Sequence, residues 1–260
     1  MKLSYHVIDP TGNITLLVET PVPISDQPAA AAALMALEPE AEQVGFLSEA
    51  AECDLALRMA GGEFCGNASM SAAMLAAIRA DEARRSVILR VSGAAQPVTA
   101  EVEARPDGSW QGTVDMPAPK AIRRVLLPSA GETPVVELDG ITHVILEQPM
   151  PRPLAERSAP EWCQRLNAAA LGIMFLNRRD GRLVPLVYVP GAGTLCWETS
   201  CASGTTAAGA YLAADSGCAL TASFREPGGI LTVAVSENGE VRLTGTVRYL
   251  RQSEAEIEIQ

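Results

Sequence analysis

The feature that most constrains the fold is a motif that occurs twice, in which a cysteine directly precedes an alanine-rich helical pattern. The first copy reads GGEFCGNASMSAAMLAA (residues 61–77), and the second reads WETSCASGTTAAGAYLAA (residues 197–214). Cys65 and Cys201 are separated by about half of the 260-residue chain. A motif repeated at this spacing predicts two units of similar design, each with a cysteine at the start of a helix.

The order of the predicted elements agrees with a duplication. In each half, two strands precede a helix, further strands lead to the cysteine motif, and more strands follow its helix. In the first half, Ser25 or Asp26 can cap the upstream helix, and Pro28 fits its first turn. We therefore expect an α+β chain of two units, each of roughly 120 residues. A chance similarity between two alanine-rich helices is the alternative.

Two local patterns predict structure in the second half. The dipeptide Asp139-Gly140 lies between two apolar runs and predicts a β-hairpin. Ser158 followed by Glu161 has the spacing of a capping box, so the upstream helix of this half is expected to begin there.

Composition limits the possible classes of partner. Hydrophobic residues make up 48% of the chain and charged residues 20%, which indicates a globular protein. A net charge of -11 argues against nucleic acid and anionic membranes as partners. The apolar runs are too short to span a bilayer, and the first residues lack the apolar segment of a signal peptide, so we expect a soluble cytoplasmic protein. The oligomeric state is left open, with a homodimer as one alternative.

The residue types also argue against a metal or an organic cofactor. The chain has two histidines, and its six cysteines lack C-x-x-C spacing, so no metal site is expected. Lys2 and Lys120 are the only lysines, and neither is a good candidate for the Schiff base of pyridoxal phosphate. The cysteines are expected to be free thiols. Four of them are interpreted as structural residues: Cys53, Cys163, Cys196 and Cys218.

A cysteine at a helix start is suited to acid–base chemistry. The positive end of the helix dipole lowers the pKa of the thiol, and the first N–H groups of the helix can bind an anion. Gly66 and Asn67 in one motif, and Ala202 and Ser203 in the other, are small enough for a substrate carboxylate to approach. Two such motifs on opposite faces of an α-carbon could invert it, one thiolate removing a proton and one thiol supplying another.

The two motifs resemble those of the diaminopimelate epimerase superfamily of pyridoxal-independent amino-acid racemases and epimerases. The segments EFCGNASMSAA and ETSCASGTTAAGA carry the resemblance, and DPTGNITLLV and THVILE resemble the family's N-terminal Gly-Asn segment and histidine segment. The run MAGGEFCGNA is most similar to the branch that contains the histidine racemases of opine-metallophore biosynthesis. The resemblance covers nearly the whole chain.

This resemblance implies two pseudo-symmetric lobes, each a β-barrel-like sheet around a central helix, with the active site between them. The expected lobes are residues 1–118, joined by residues 246–260, and residues 119–245. It also implies that Cys65 and Cys201 are the acid–base pair, that no cofactor takes part, and that the substrate is an amino acid, with histidine as first choice. Further implied site residues are Gly66, Asn67, Ala202 and Ser203 for the α-carboxylate, Asn13 and Gln43 for substrate contact, and His143 for tuning one cysteine.

The chain departs from true diaminopimelate epimerases in one informative segment. Those enzymes carry a Tyr-Glu-Arg-Gly run whose arginine binds the distal carboxylate of the substrate, whereas here the run from Tyr188 to Gly191 reads YVPG. Without that arginine a second carboxylate would be bound poorly. Glu198, three residues before Cys201, is expected to replace the missing glutamate. An exposed carboxylate at a strand end is the alternative for Glu198, and a strand residue with a satisfied imidazole is the alternative for His143.

The sequence therefore predicts a cofactor-independent amino-acid racemase with a two-cysteine mechanism. Diaminopimelate epimerase and proline racemase are the alternative enzymes. The alternative from another class is a thiol redox or binding protein in which Cys65 and Cys201 form a switching disulfide.

Overall fold

The computed structural model describes residues 1–258, except for the side chain of Ala192, as a mixture of strands and helices. Residues 1–115, together with residues 244–258, form one compact unit, and residues 116–243 form the other. The predicted α+β class is confirmed.

The first unit is a closed barrel of eight strands. They are β1 (Lys2–Pro10), β2 (Thr15–Val18), β3 (Gln43–Ser48), β4 (Leu55–Met59), β5 (Arg84–Val91), β6 (Val98–Ala104), β7 (Trp110–Met116) and β16 (Val241–Glu256). Each strand pairs with the next in this order, and β16 also pairs with β1, which closes the barrel. The pairs β2–β3 and β4–β5 are parallel because the helices α1 (Gln27–Leu37) and α2 (Gly66–Ala80) connect them.

The barrel strands β5, β6 and β7 follow the two-residue period of a half-buried sheet, whereas β2 is buried throughout. In β5, Val87, Leu89 and Val91 are buried, while Ile88 between them is 46% exposed. An alternating pattern of this kind fixes the register, because a slip by one residue would turn every buried side chain towards water.

Helix α2 is buried along most of its length by the strands of this unit. Ala68, Met70, Ala72 and Met74 are all fully buried, and the helix packs mainly against β5 and β6. A Cβ atom at Gly112 in β7 would lie 2.9 Å from the Cβ atom of Met70, so the glycine lets strand and helix approach closely. Small residues therefore allow a helix to fit inside the barrel, and its start is held at Cys65.

The second unit contains the remaining strands of the described chain. They are β8 (Ala121–Leu127), β9 (Gly131–Glu137), β10 (Thr142–Leu146), β11 (Leu171–Asn177), β12 (Arg182–Val189), β13 (Thr194–Trp197), β14 (Leu220–Glu226) and β15 (Gly229–Val235), with helices α3 (Arg152–Arg165) and α4 (Ala202–Ser216). Their order in the sheet is β15-β14-β12-β11-β10-β9-β8, and β13 pairs with β12. The predicted hairpin at Asp139-Gly140 is confirmed as the antiparallel pair β9–β10. Within residues 1–258, no helix is both long and apolar enough to cross a membrane.

The predicted start of α3 at Ser158 is wrong. The helix begins at Arg152, six residues earlier, with Pro151 as its N-cap and Pro153 in its first turn, where the missing N–H costs no hydrogen bond. Ser158 is buried inside the helix, and Pro160 follows within it. The packing of the apolar face of α3 decides the boundary, because Ala155, Ala159 and Trp162 are fully buried in the core of this unit and outweigh the capping signal.

Strand β8 was missed by the sequence analysis. Most of its side chains are exposed or half-buried, and Leu127 is its buried residue. It lies at the end of the strand order, paired with β9. An edge strand with polar side chains lacks the apolar alternation by which strands are recognised.

We expect Gly209→Ala in α4 to destabilise the second unit. The added Cβ would lie 2.3 Å from Cγ1 of Val233 in β15, a fully buried side chain with little rotamer freedom. Overpacking costs about 1–3 kcal/mol, which exceeds the gain of roughly 1 kcal/mol from the better helix propensity of alanine. Urea unfolding should show a lower midpoint. Gly191→Ala is the matched control, since nothing lies within 4 Å of its Cβ position. Equal midpoints for both variants would contradict the packing argument.

We expect His143 to make stability fall below neutral pH. This β10 side chain is fully buried, and burial lowers its pKa from 6.5 to about 3. Between these values the unfolded chain binds a proton that the folded chain cannot, so stability decreases as pH falls through 6.5, by about 1.4 kcal/mol per pH unit. The measurement is the free energy of unfolding against pH for the wild type and His143→Gln. In the variant, the free energy of unfolding should fall less steeply below pH 6.5. Parallel curves of the free energy against pH for the two proteins would contradict the low pKa of His143.

Candidate active site

Cys65 is the N-cap of α2. Its backbone is extended, with φ -134° and ψ 113°, and its Sγ atom accepts a hydrogen bond from the N–H of Ala68 at 3.4 Å. The side chain is half-buried. The sulfur therefore lies at the positive end of the helix dipole. Gly66 and Asn67 are the first two residues of the helix, and both are buried.

A network of amide side chains adjoins Cys65. The Cys65 thiol donates to Oε1 of Gln43 at 3.0 Å. The Gln43 Nε2 atom donates in turn to Oδ1 of Asn13 and, at 2.7 Å, to Oγ1 of Thr15. Asn13 is buried and donates to Glu42. These bonds fix the Gln43 amide with its oxygen towards the sulfur, so the structure brings Asn13 and Gln43 together with Cys65.

Cys201 is the N-cap of α4 and also has an extended backbone, with φ -128° and ψ 101°. Unlike Cys65, it makes no side-chain capping bond, and it is 6% exposed. Its backbone N–H instead donates to Oε2 of Glu226 at 2.7 Å, and the Thr205 hydroxyl donates to the other carboxylate oxygen. The helix start is therefore held by a buried carboxylate from the end of β14.

A chain of contacts links Cys201 to His143. The Cys201 Sγ atom lies 3.6 Å from Oγ of Ser203, and that oxygen lies 3.0 Å from Nε2 of His143. Because the pKa of His143 is low, the imidazole is neutral here. A Cβ at Gly172 would lie 2.1 Å from the other ring nitrogen of His143, so glycine on β11 makes room for the ring.

The thiol of Cys201 is held in its protonated form. Burial raises its pKa well above the usual value, and the carboxylates of Glu198 and Glu226 raise it further, while the hydrogen bond to Ser203 opposes the shift. Burial likewise raises the pKa of Glu226 to about 8, against the lowering effect of its bonds from Thr205 and Cys201. The second unit thus places two carboxylates and a neutral imidazole around one thiol.

The structure gathers the sequence-predicted residues into one set in each unit. Asn13, Gln43, Cys65, Gly66 and Asn67 belong to the first set, and His143, Glu198, Cys201, Ala202 and Ser203 belong to the second. Their roles in catalysis and binding stay predictions. Among residues 1–258, no group of three or more histidine, cysteine, aspartate or glutamate side chains is arranged to hold a metal ion.

The sequence analysis missed Glu226 and Thr205. A signal for Glu226 was present, because Phe224 and Glu226 are two residues apart in β14 and a strand turns both towards the same face. Phe224 is an obvious core residue, which places the glutamate in the core as well. Thr205 had no comparable signal, since its importance comes only from its contact with Glu226.

Comparison with known proteins extends these observations. The family model described as histidine racemase CntK N-terminal domain matches residues 2–251. A histidine racemase of Fusobacterium nucleatum subsp. nucleatum is 29% identical, over 96% of this chain and 95% of its own.

Two solved structures share the fold. A protein described as a predicted epimerase from Pseudomonas aeruginosa has a TM-score of 0.75 and 15% identity, over 98% of this chain and all of that one. A hydroxyproline epimerase from Agrobacterium vitis has a TM-score of 0.70 and 16% identity, over 98% of this chain and 92% of that one.

The match to the family model spans nearly the whole chain and includes both cysteine motifs. The predicted resemblance to pyridoxal-independent racemases and epimerases is confirmed, and so is the predicted class of enzyme, an isomerase that acts as an amino-acid racemase. The chain belongs to the histidine racemase family that this model describes.

Proposed function

We propose that this amino-acid racemase interconverts L- and D-histidine by a two-base mechanism in which Cys65 and Cys201 are the bases. The observation that carries the mechanism is that each cysteine is the N-cap of a buried, small-residue helix, with an extended backbone. The family model and the relative from Fusobacterium nucleatum are both described as histidine racemases, which supports histidine as the substrate.

In the proposed reaction, one sulfur is a thiolate and the other a thiol when the substrate binds. The thiolate takes the proton from the α-carbon, and the electron pair of the broken C–H bond is delocalised onto the carboxylate. The thiol then gives its proton to the opposite face of the α-carbon. The two sulfurs have exchanged protonation states at the end of the turnover, and the substrate has inverted with no net gain or loss of protons.

We propose that the helix starts bind the α-carboxylate. The first N–H groups of a helix lie outside its own hydrogen-bond ladder and favour an anion, and this preference grows as negative charge develops on the carboxylate. Gly66 and Asn67 occupy those positions in α2, and Ala202 and Ser203 occupy them in α4. Asn13 and Gln43 would contact the substrate beside Cys65, as their bonds to each other and to the thiol suggest.

His143 and Glu198 are proposed to tune Cys201. The neutral His143 ring reaches the sulfur through Ser203, and the Glu198 carboxylate raises the pKa of the thiol. The observations also favour histidine over a substrate with two carboxylates. The run from Tyr188 to Gly191, at the end of β12 and the turn after it, contains no arginine that could bind a second carboxylate.

We also propose that the chain forms two lobes of one plan, residues 1–118 with 246–260, of which 259 and 260 lie outside the described residues, and residues 119–245. The order of elements supports this, since in each half two strands, a helix and two further strands precede the helix capped by cysteine, apart from the added β8 and β13. A role in opine-metallophore biosynthesis stays a prediction from the resemblance.

We expect Cys65→Ser and Cys201→Ser each to reduce histidine racemisation by about 10²-fold or more, because a serine hydroxyl is too weak an acid–base group to replace a thiol. The measurement is the NMR signal of the α-proton when pure L- or pure D-histidine is incubated in deuterium oxide. Each single variant should still exchange the α-proton of one enantiomer, and the two variants should prefer opposite enantiomers.

Cys163→Ala and Cys218→Ala are the matched controls for these variants. Cys163 is buried in α3, and Cys218 is an exposed residue after α4. Both should racemise histidine at the wild-type rate, although the buried site costs some stability. Wild-type rates in both serine variants would refute the two-cysteine mechanism.

We expect histidine to be racemised without added cofactor and faster than diaminopimelate or proline. Wild-type protein dialysed against a chelator should keep its activity, since the proposed chemistry needs only two thiols. The measurement is the rate of α-deuteration for each amino acid before and after dialysis. Faster exchange of diaminopimelate would assign the chain to the alternative epimerase, and activity that returns only with added metal would contradict the cofactor-free mechanism.

A further inference from the structure

We propose that Glu226 is a positioning residue for the racemase: it anchors the first turn of α4 and places a carboxylate against Cys201, so that Cys201 enters the reaction as the thiol, the proton donor. This inference rests on the proposed function for its catalytic meaning. The contacts that carry it belong to the second unit alone and can be tested without any substrate.

The geometry gives Glu226 two anchors on the same helix turn. One carboxylate oxygen accepts from the backbone N–H of Cys201 at 2.7 Å, and the other accepts from the hydroxyl of Thr205. Cys201 is the N-cap and Thr205 lies one helical turn further on, where its N–H bonds to the Cys201 carbonyl at 2.8 Å. The carboxylate thus joins the end of β14 to the first turn of α4 and fixes the backbone that carries the sulfur.

Burial makes this carboxylate electrostatically effective. Glu226 is 7% exposed, and Thr205 is fully buried, so little water screens the charge. The titratable groups that face Cys201 are Glu226 from β14, Glu198 from the segment that precedes the helix, and His143 from β10 through Ser203. The imidazole is neutral, so of these groups only the two carboxyl groups can place a charge beside the thiol, and Glu226 does so once it ionises, at a pKa of about 8.

The two helix starts differ in whether the cysteine sulfur accepts a hydrogen bond from the helix. At α2 the Cys65 sulfur itself accepts from the first turn of the helix, through Ala68, and its thiol donates to Gln43. At α4 the Glu226 carboxylate takes the N–H of Cys201, and the sulfur makes no capping bond. The group that takes this N–H at the start of α4 is therefore the Glu226 carboxyl and not the sulfur, and the thiol keeps its proton.

The test is Glu226→Gln. This change keeps the side-chain volume and one carbonyl oxygen as a hydrogen-bond acceptor, but it removes the charge. Wild type and variant are alkylated with iodoacetamide across a neutral-to-alkaline pH series, and each cysteine peptide is quantified by mass spectrometry. Cys201 titrates where Glu226 is already ionised, so its alkylation midpoint should fall by about one pH unit or more in the variant. Below the midpoint, alkylation of Cys201 should become about tenfold faster.

Cys163 is the internal control for the fold of the same unit. Its thiol is buried in α3 and donates to the carbonyl of Ala168 at 3.2 Å, and its raised pKa comes from burial. Its alkylation midpoint should be unchanged. A Cys201 midpoint equal to that of the wild type, with Cys163 still protected, would overturn the proposal and leave Glu226 as a helix cap only.

A second variant decides the matter if Glu226→Gln exposes Cys163 by unfolding. Glu226→Met combined with Thr205→Val replaces two of the three bonded groups by apolar groups of similar shape, so that only the Cys201 N–H loses its acceptor and Thr205 is not left unpaired as well. The same fall in the Cys201 midpoint is expected, and an unchanged midpoint overturns the proposal. Alkylation requires no substrate, so a protein that fails to racemise histidine could still show the shift, and the two proposals fail separately.

Discussion

The physical constraint on which the site depends is the start of a buried helix. The first N–H groups of a helix have no partner within the helix, so their acceptors must come from elsewhere. At α2 the sulfur of Cys65 accepts one of these bonds, and at α4 the carboxylate of Glu226 accepts the N–H of Cys201. The same requirement is met in two ways, and the two cysteines are left in chemically different surroundings.

Small residues make these helix positions possible. Alanine, serine and glycine dominate both helices, and their short side chains allow the sheets to approach. A Cβ at Gly204 would lie 2.2 Å from the sulfur of Met174 and 3.2 Å from the sulfur of Cys201, so there is no room for a side chain beside the Cys201 thiol. The small residues that favour helix formation therefore also allow the close packing that holds each sulfur in place.

Burial and the neighbouring acidic groups keep the Cys201 thiol protonated. A carboxylate that is already bonded to the helix start, a second carboxylate at Glu198 and a neutral His143 leave the thiol without a cation to stabilise its ionised form. The proposed two-base mechanism needs one acid and one base at the start of each turnover, so it requires the two thiols to differ in protonation state. The contacts of Glu226 suggest how the second unit provides its part of that asymmetry.

The sequence by itself determined the helix starts at Cys65 and Cys201, the strand alternation and the turn at Asp139-Gly140, because these depend on neighbours a few residues away. It misplaced the start of α3, where burial of Trp162 outweighs the capping signal of Ser158.

Only the tertiary structure decided that Gln43 faces the Cys65 thiol and that Glu226 holds Cys201. Both contacts join residues more than twenty positions apart. The reason is physical: a local pattern specifies backbone conformation, whereas the partner of a buried polar group is chosen by how separate elements pack.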